Sequence, residues 1–138
     1  MQNAICDSLK AGGKKLTKAR KAILAILEKT PLPITAAEVH ERLRIADTPA
    51  DLVTVYRNLS MLKDLGLVNQ IGLQEGHMRY EVCHGRAHHH HIQCRGCGEV
   101  IDLMLCPLKK LTKLIEEQTR FSVDGHALEF FGWCPQCR

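Results

Sequence analysis

Apolar residues recur at helical spacing three times before residue 66, after which the period changes to two. Thr17 can cap a helix in which Ala19, Ile23, Ile26 and Leu27 share a side, and Pro31 with Pro33 ends it. Thr35 can cap a second, with Ala36, Val39 and Leu43 on one face and Glu38 at the capping-box position. After the turn-like Asp47-Thr-Pro-Ala50, a third helix places Leu52, Val55, Leu59 and Leu62 inward and stops at Gly66. Three short helices with tight connections predict a helix-turn-helix. Leu67, Asn69, Ile71 and Leu73 then alternate with other residues, Gln74-Glu-Gly-His77 makes a turn, and Met78, Tyr80 and Val82 alternate again. That pattern predicts a hairpin, the wing of a winged helix.

The rest of the chain reads as a second, smaller module. Cys83-His-Gly-Arg-Ala87 predicts a hinge, followed by a strand from Ile92 to Cys94, a CxxC knuckle, a strand from Val100 to Leu103, a helix and a closing strand from about His126 to Trp133. Pro107 suits the first turn of that helix, whose apolar stripe is Leu108, Leu111, Leu114 and Ile115. The expected fold class is α+β: a winged helix-turn-helix domain over residues 1–83, a hinge over 84–88, and a small α/β dimerisation and metal-binding domain with a structural zinc site over 89–138.

A chain of 138 residues divided in this way leaves each module short of core, so a metal, a disulfide or a partner is expected to stabilise it. The seven cysteines are an odd number, no apolar signal segment is seen at the N-terminus, and two spacings match metal sites, so thiolates on zinc in a cytoplasmic, reducing setting are expected rather than disulfides. No apolar stretch approaches the roughly 20 residues needed to span a bilayer, which excludes a membrane protein.

Charge sharpens the division. Residues 1–72 carry 11 Lys/Arg against 7 Asp/Glu and residues 73–138 carry 8 against 8, so the whole net charge of +4 lies in the first module. Lys10, Lys14, Lys15, Lys18, Arg20 and Lys21 are uninterrupted by any acidic residue, a density suited to a phosphate backbone. The third helix presents Thr54, Tyr56, Arg57 and Met61 away from its apolar stripe. With Lys15 and Arg20, Thr54, Tyr56 and Arg57 form a candidate DNA-binding surface for base edges and phosphates in a major groove.

The densest chemistry follows the hinge. Cys94-Arg-Gly-Cys97 and Cys134-Pro-Gln-Cys137 supply the four thiolates of a closed tetrahedral zinc site, and the 36 residues between the pairs mean that the ion would tie the start of the second module to its end. Between hinge and knuckle stand four consecutive histidines, His88 to His91. In a strand, His89 and His91 point one way and His88 and His90 the other, so one segment can serve two metal centres. On the first face the nearest further donors are Cys83, Glu81 and Asp102; a thiolate with imidazoles favours zinc, whereas carboxylates with imidazoles favour iron(II) or manganese. On the second, His126 is the third donor for an additional metal, and Cys106 is either a fourth ligand or, the preferred reading, a free buried cysteine like Cys6.

The run Asp51-Leu-Val-Thr-Val-Tyr-Arg-Asn-Leu59, the segment His88-His-His-His91 with Cys94-Arg-Gly-Cys97-Gly, and the terminal Cys134-Pro-Gln-Cys137 together resemble the ferric uptake regulator superfamily, most closely its zinc uptake branch. The resemblance implies a homodimer, its subunits joined through the C-terminal domain, that binds palindromic AT-rich double-stranded DNA when metal fills a hinge site. It also implies DNA contacts from Tyr56 and Arg57, and structural zinc on Cys94, Cys97, Cys134 and Cys137. Pro33 stands where iron and peroxide sensors of the superfamily supply a histidine, whereas Cys83 lies eleven residues before Cys94, as in zinc sensors. The sensory set implied is Cys83, His89 and His91, with a fourth ligand among Asn69, His77, Glu81 and Asp102. Lys109 replaces a glutamate that relatives contribute to an additional site, leaving His88, His90 and His126 there. The expected function is a zinc-sensing transcriptional regulator of metal-uptake genes, with an iron(II), manganese or peroxide sensor as the alternative. An enzyme is not expected, because a zinc hydrolase would need an HExxH or an HxE motif that the chain does not have; a zinc store is the third reading.

Overall fold

The computed structural model describes residues 9, 12–73, 76–83 and 85–138, and these fall into two compact units, Met1–Gly85 and Arg86–Arg138. Cys6, Lys10, two residues of the turn after Leu73 and the hinge histidine at 84 lie outside the described residues. The first unit holds α1 (Lys18–Lys29), β1 (Ile34–Thr35), α2 (Ala36–Ile45), α3 (Leu52–Asp64), β2 (Val68–Ile71) and β3 (Arg79–Val82). The second holds β4 (His90–Cys94), β5 (Val100–Leu103), α4 (Lys109–Thr119) and β6 (Glu129–Gly132). No described helix is long and apolar enough to cross a membrane.

Side-chain caps set where the first three helices begin. Thr17 accepts from the Arg20 amide at 3.3 Å, and Asp51 accepts from the Thr54 amide at 2.6 Å. At α2 the box is complete: the Glu38 amide donates to the Thr35 hydroxyl at 3.1 Å while the Thr35 amide donates to the Glu38 carboxylate at 2.7 Å. Gly66, at φ +68°, ends α3 and lets the Leu67 amide reach the Leu62 carbonyl at 2.9 Å, a reversal that costs a side-chain-bearing residue more. Ile23, Leu27, Val39, Leu43, Val55, Leu59 and Leu62 meet in one core, which Tyr80 and Val82 close from the sheet. That sheet has the order β1-β3-β2, antiparallel throughout, with Ile34 opposite Tyr80 and Val68 opposite Val82. Three helices and a β2–β3 hairpin make this unit a winged helix.

Four expectations need correction here. Leu52 is 39% exposed, because it opens α3 beyond the edge of the core that Val55 reaches one turn later. Met61 packs half-buried against the core instead of facing outward. Strict alternation fails in the hairpin: Leu67 is drawn inward by the helix-ending turn, so Leu67 and Val68 are both buried while Asn69 and Gln70 are exposed. Met78 precedes β3 and is exposed.

The second unit is a sheet of order β5-β4-β6 with one helix. β4 pairs antiparallel with β5, placing His91 opposite Asp102, and parallel with β6, placing His91 opposite Glu129 and Cys94 opposite Gly132. β4 begins at His90, two residues before the expected start, and β6 is shorter than expected at both ends. The apolar stripe of α4 is on the surface: Leu111, Leu114 and Ile115 are exposed, as are Ile101, Met104, Leu105, Phe121 and Trp133 of the same unit. α4 has no side-chain cap at its start, and no residue of it is buried.

Replacing Thr35 by Ala removes one half of the α2 box while leaving the core intact. The expected cost is about 1 kcal/mol, read as a lower urea midpoint with an unchanged slope.

Candidate metal centres and nucleic-acid face

The parallel pairing of β4 with β6 aligns their ends, and this register sorts the metal donors. At the C-terminal ends, the knuckle after Cys94 meets the last five residues of the chain. Arg95 donates its amide to the Gly132 carbonyl at 2.7 Å, and the Cys134 amide donates to Cys94 Sγ at 3.3 Å. Cys94, Cys97, Cys134 and Cys137 converge with all ligand atoms within 4.8 Å of one another. Cys97 Sγ lies 3.8 Å from Cys134 Sγ, which is the edge of a tetrahedron built on Zn–S bonds of about 2.3 Å. All four are free thiols.

The protonation of this cluster is uneven. Amide donors from Cys134, Cys97 and Gly96 pull the Cys94 thiol down to about 6. Hydrogen bonding with Cys134, Cys94 and Cys97 pushes Cys137 up to about 12, because thiolates crowded together resist a further negative charge. A divalent cation at the centre removes that repulsion, so four thiols of this spacing fit zinc. Gly96 makes the approach feasible: a Cβ there would stand 2.8 Å from both Cβ and Sγ of Cys137.

The division of the histidines by face is seen within the second unit. The rings of His89 and His91 are 5.0 Å apart, and Nδ1 of His89 donates to the Ala87 carbonyl at 2.7 Å, fixing the tautomer that puts the lone pair on Nε2. His91 is buried, with Nε2 3.5 Å from Asp102 Oδ1, and Asp102 also pairs with Arg86. On the other face His88, His90 and His126 draw their Nε2 atoms together, and Cys106 joins them, its Sγ 3.4 Å from His126 Nε2. Burial and the neighbouring His88 and His126 lower the pKa of His90, favouring the neutral imidazole that ligates metals.

In the first unit, Glu81 and Cys83 gather around Asn69 at the end of the hairpin. The Asn69 amide group donates to the Glu81 carboxylate at 3.4 Å, and the Cys83 thiol donates to Asn69 Oδ1 at 3.0 Å. Burial, and then the Glu81 charge, raise the Cys83 pKa, so its thiol is protonated at neutral pH. His77 is exposed beyond the strand.

The nucleic-acid face divides in two. Tyr56 and Arg57 are exposed on α3, Thr54 is half-buried there, and Lys15 is exposed before α1. Arg20 is engaged internally: its Nε donates to Asn58 Oδ1 at 2.9 Å, and its Nη1 donates to the Lys15 carbonyl. Asn58 in turn donates to the Thr54 carbonyl at 2.7 Å. Asn58 went unnoticed in the sequence because it occupies a helix position that apolar periodicity reserves for the core; its burial at 7% exposure is made tolerable by these two bonds. The Arg20–Asn58 pair joins α1 to α3 and so sets the pose of the helix that carries Tyr56 and Arg57.

The model of the family described as the ferric uptake regulator family matches residues 11–131. The peroxide-responsive repressor PerR of Staphylococcus aureus is 30% identical over 131 residues, which cover 95% of this chain and 87% of that protein. The crystal structure of the Vibrio cholerae ferric uptake regulator superposes with a TM-score of 0.78 at 30% identity, over 94% of this chain and 98% of that one. The Helicobacter pylori ferric uptake regulator, described as having three functional metal binding sites, superposes with a TM-score of 0.83 at 23% identity, over 99% and 90% of the two chains.

Gly96→Ala is expected to lower the zinc retained by purified protein by one equivalent per chain, with Tyr56, Arg57 and the rest of the first unit unaffected. Elemental analysis after gel filtration, with circular dichroism of the same sample, checks both halves of that expectation.

Proposed function

This chain belongs to the ferric uptake regulator family, and from that premise we propose that it is a zinc-sensing, DNA-binding transcriptional regulator that acts as a homodimer on metal-uptake genes. What supports a metal-responsive regulator is one chain carrying an exposed Tyr56 and Arg57 on a winged-helix recognition helix together with ordered histidine and thiol donors. Thr54, Tyr56 and Arg57 read and grip a major groove, Lys15 contacts the backbone, and Arg20 acts by holding α3 in place. A palindromic, AT-rich operator suits a two-fold dimer, because each recognition helix reads one half-site. The exposed stripe of Leu111, Leu114 and Ile115 supports the second unit as the dimer face.

The four cysteines hold zinc permanently. The sensory ion is proposed to bind His89 and His91 together with Cys83, with Glu81 or Asp102 completing the set. Cys83 stands six residues before His89, so an ion taken by both shortens and stiffens the segment joining the units. Zinc is favoured over iron(II) or manganese by the thiolate, since a soft sulfur ligand suits zinc better than either harder ion. The protonated state of Cys83 means that metal capture releases a proton, so sensing weakens as pH falls.

Metal then works by differential affinity for the orientation of the DNA-binding units that matches the operator, a coupling of typically about 1 to 3 kcal/mol. Bound ion supplies only fixed geometry; Tyr56 and Arg57 supply the recognition. The second reading is a peroxide or iron(II) sensor, favoured by the 30% identity to PerR and by the carboxylates Glu81 and Asp102 beside the sensory histidines in sequence and pairing. A zinc hydrolase or zinc store would bind no operator.

Operator binding followed by fluorescence anisotropy, with the four-cysteine site filled, separates these readings. Zinc is expected to tighten binding about 5- to 150-fold, iron(II) and manganese less, and Cys83→Ser is expected to abolish the zinc response. A zinc response that survives in Cys83→Ser, beside a strong iron(II) response, would replace the zinc assignment with the iron one.

A further inference from the structure

One ion pair fastens the start of the second unit to its sheet. Arg86, the first residue of the unit, donates Nη2 to Oδ2 of Asp102 on β5, and the two side chains are 25% and 22% exposed. The other oxygen of the same carboxylate faces a different group: Oδ1 stands 3.5 Å from Nε2 of His91, which β4 places directly opposite Asp102. Oδ1 is buried and accepts no hydrogen bond from the described residues. A buried charged oxygen needs a donor or a cation to replace the water it has lost.

Arg86 thereby divides the carboxylate. A guanidinium binds a carboxylate strongly and in a fixed plane, so the pair retains one oxygen and leaves the other facing His91. An aspartate so held offers an ion one oxygen, whereas a free one can offer both. The count matters because zinc takes four ligands at tetrahedral spacing, while manganese and iron(II) accept more, chiefly oxygens. Tetrahedral bonds of about 2.0–2.2 Å put neighbouring nitrogen and oxygen ligands about 3.4 Å apart, close to the 3.5 Å observed; octahedral bonds of that length put them about 3.0 Å apart.

We propose that Arg86 is a positioning residue of the sensory site: by keeping Oδ2, it restricts Asp102 to one coordinating oxygen and selects zinc over manganese and iron(II). The inference rests on the proposed sensory set of Cys83, His89 and His91, which supplies three ligands. One oxygen from Asp102 makes four; two make five. Arg86 touches no ion itself and acts only through Asp102, so its effect disappears when that carboxylate is removed.

Zinc, cobalt(II) and manganese are titrated into the full chain with its four cysteines already holding zinc, in a His126→Ala background that disables the other histidine set. Binding lost in His89→Ala marks the sensory ion. The parent is expected to show the strong visible absorption of four-coordinate cobalt(II), and Arg86→Gln the weak absorption of an ion with more ligands. The ratio of zinc to manganese affinity is expected to fall about 10- to 100-fold in Arg86→Gln. In Asp102→Asn, adding Arg86→Gln should change neither the spectrum nor the ratio, which also shows that the first loss is not a folding defect. A spectrum and a ratio unchanged by Arg86→Gln would overturn the role of Arg86 alone, as would an equal fall when Asp102 is already Asn. Ion binding indifferent to His89→Ala would overturn the sensory set itself, and this proposal with it.

Discussion

The second unit depends on the convergence of four thiols at one end of a three-stranded sheet. Its strands are four or five residues long, its large apolar side chains are mostly at the surface, and its helix buries nothing. Hydrophobic burial of that size does not hold a chain of about fifty residues together unaided. The four thiols of Cys94, Cys97, Cys134 and Cys137 meet where the first hairpin reaches the last residues, and an ion held there would fix the parallel contact of β4 with β6, the pairing most distant in sequence. The first unit needs no such staple, since its three capped helices close around an apolar core.

That parallel pairing also distributes the chemistry. Strands aligned in the same direction gather their C-terminal ends into one cluster and their N-terminal ends into another, about 13 Å away along β4 at 3.3 Å per residue. Soft thiols collect at one end; imidazoles, with Cys106, collect at the other. The two-residue alternation of β4, continued through the two residues before it, then separates His89 and His91 from His88 and His90, and the antiparallel partner β5 brings Asp102 opposite His91. One short segment, β4 with the two residues before it, thus contributes to both histidine sets among the described residues.

Much of this was legible before any coordinates. Thr17, Thr35 and Asp51 announce their helices because a short polar side chain before an apolar repeat has one efficient use, and Gly66 marks a left-handed stop. The CxxC pairs announce a four-thiol cluster through ligand count and spacing alone. Other features were hidden for physical reasons. Asn58 looks like a surface polar residue until Arg20, 38 positions away, is seen to satisfy it. Met61 and Leu52 exchange environments because the core does not extend under the first turn of α3. Cys106, with no second cysteine at metal-site spacing, is ambiguous in sequence between a fourth ligand and a free buried thiol, and only the fold brings it to His126. The surface stripe of α4 has helical periodicity like any core helix; periodicity reports that a face is apolar, not what covers it.

The dependence of the second unit on its thiol-bound ion is tested most directly by hydrogen exchange during chelation. Removing zinc from the intact chain with a strong chelator should expose the amides of β4 and β6 to exchange at near-unfolded rates while those of α1, α2 and α3 keep their protection. Slow exchange in β4 and β6 after complete zinc removal would contradict the account.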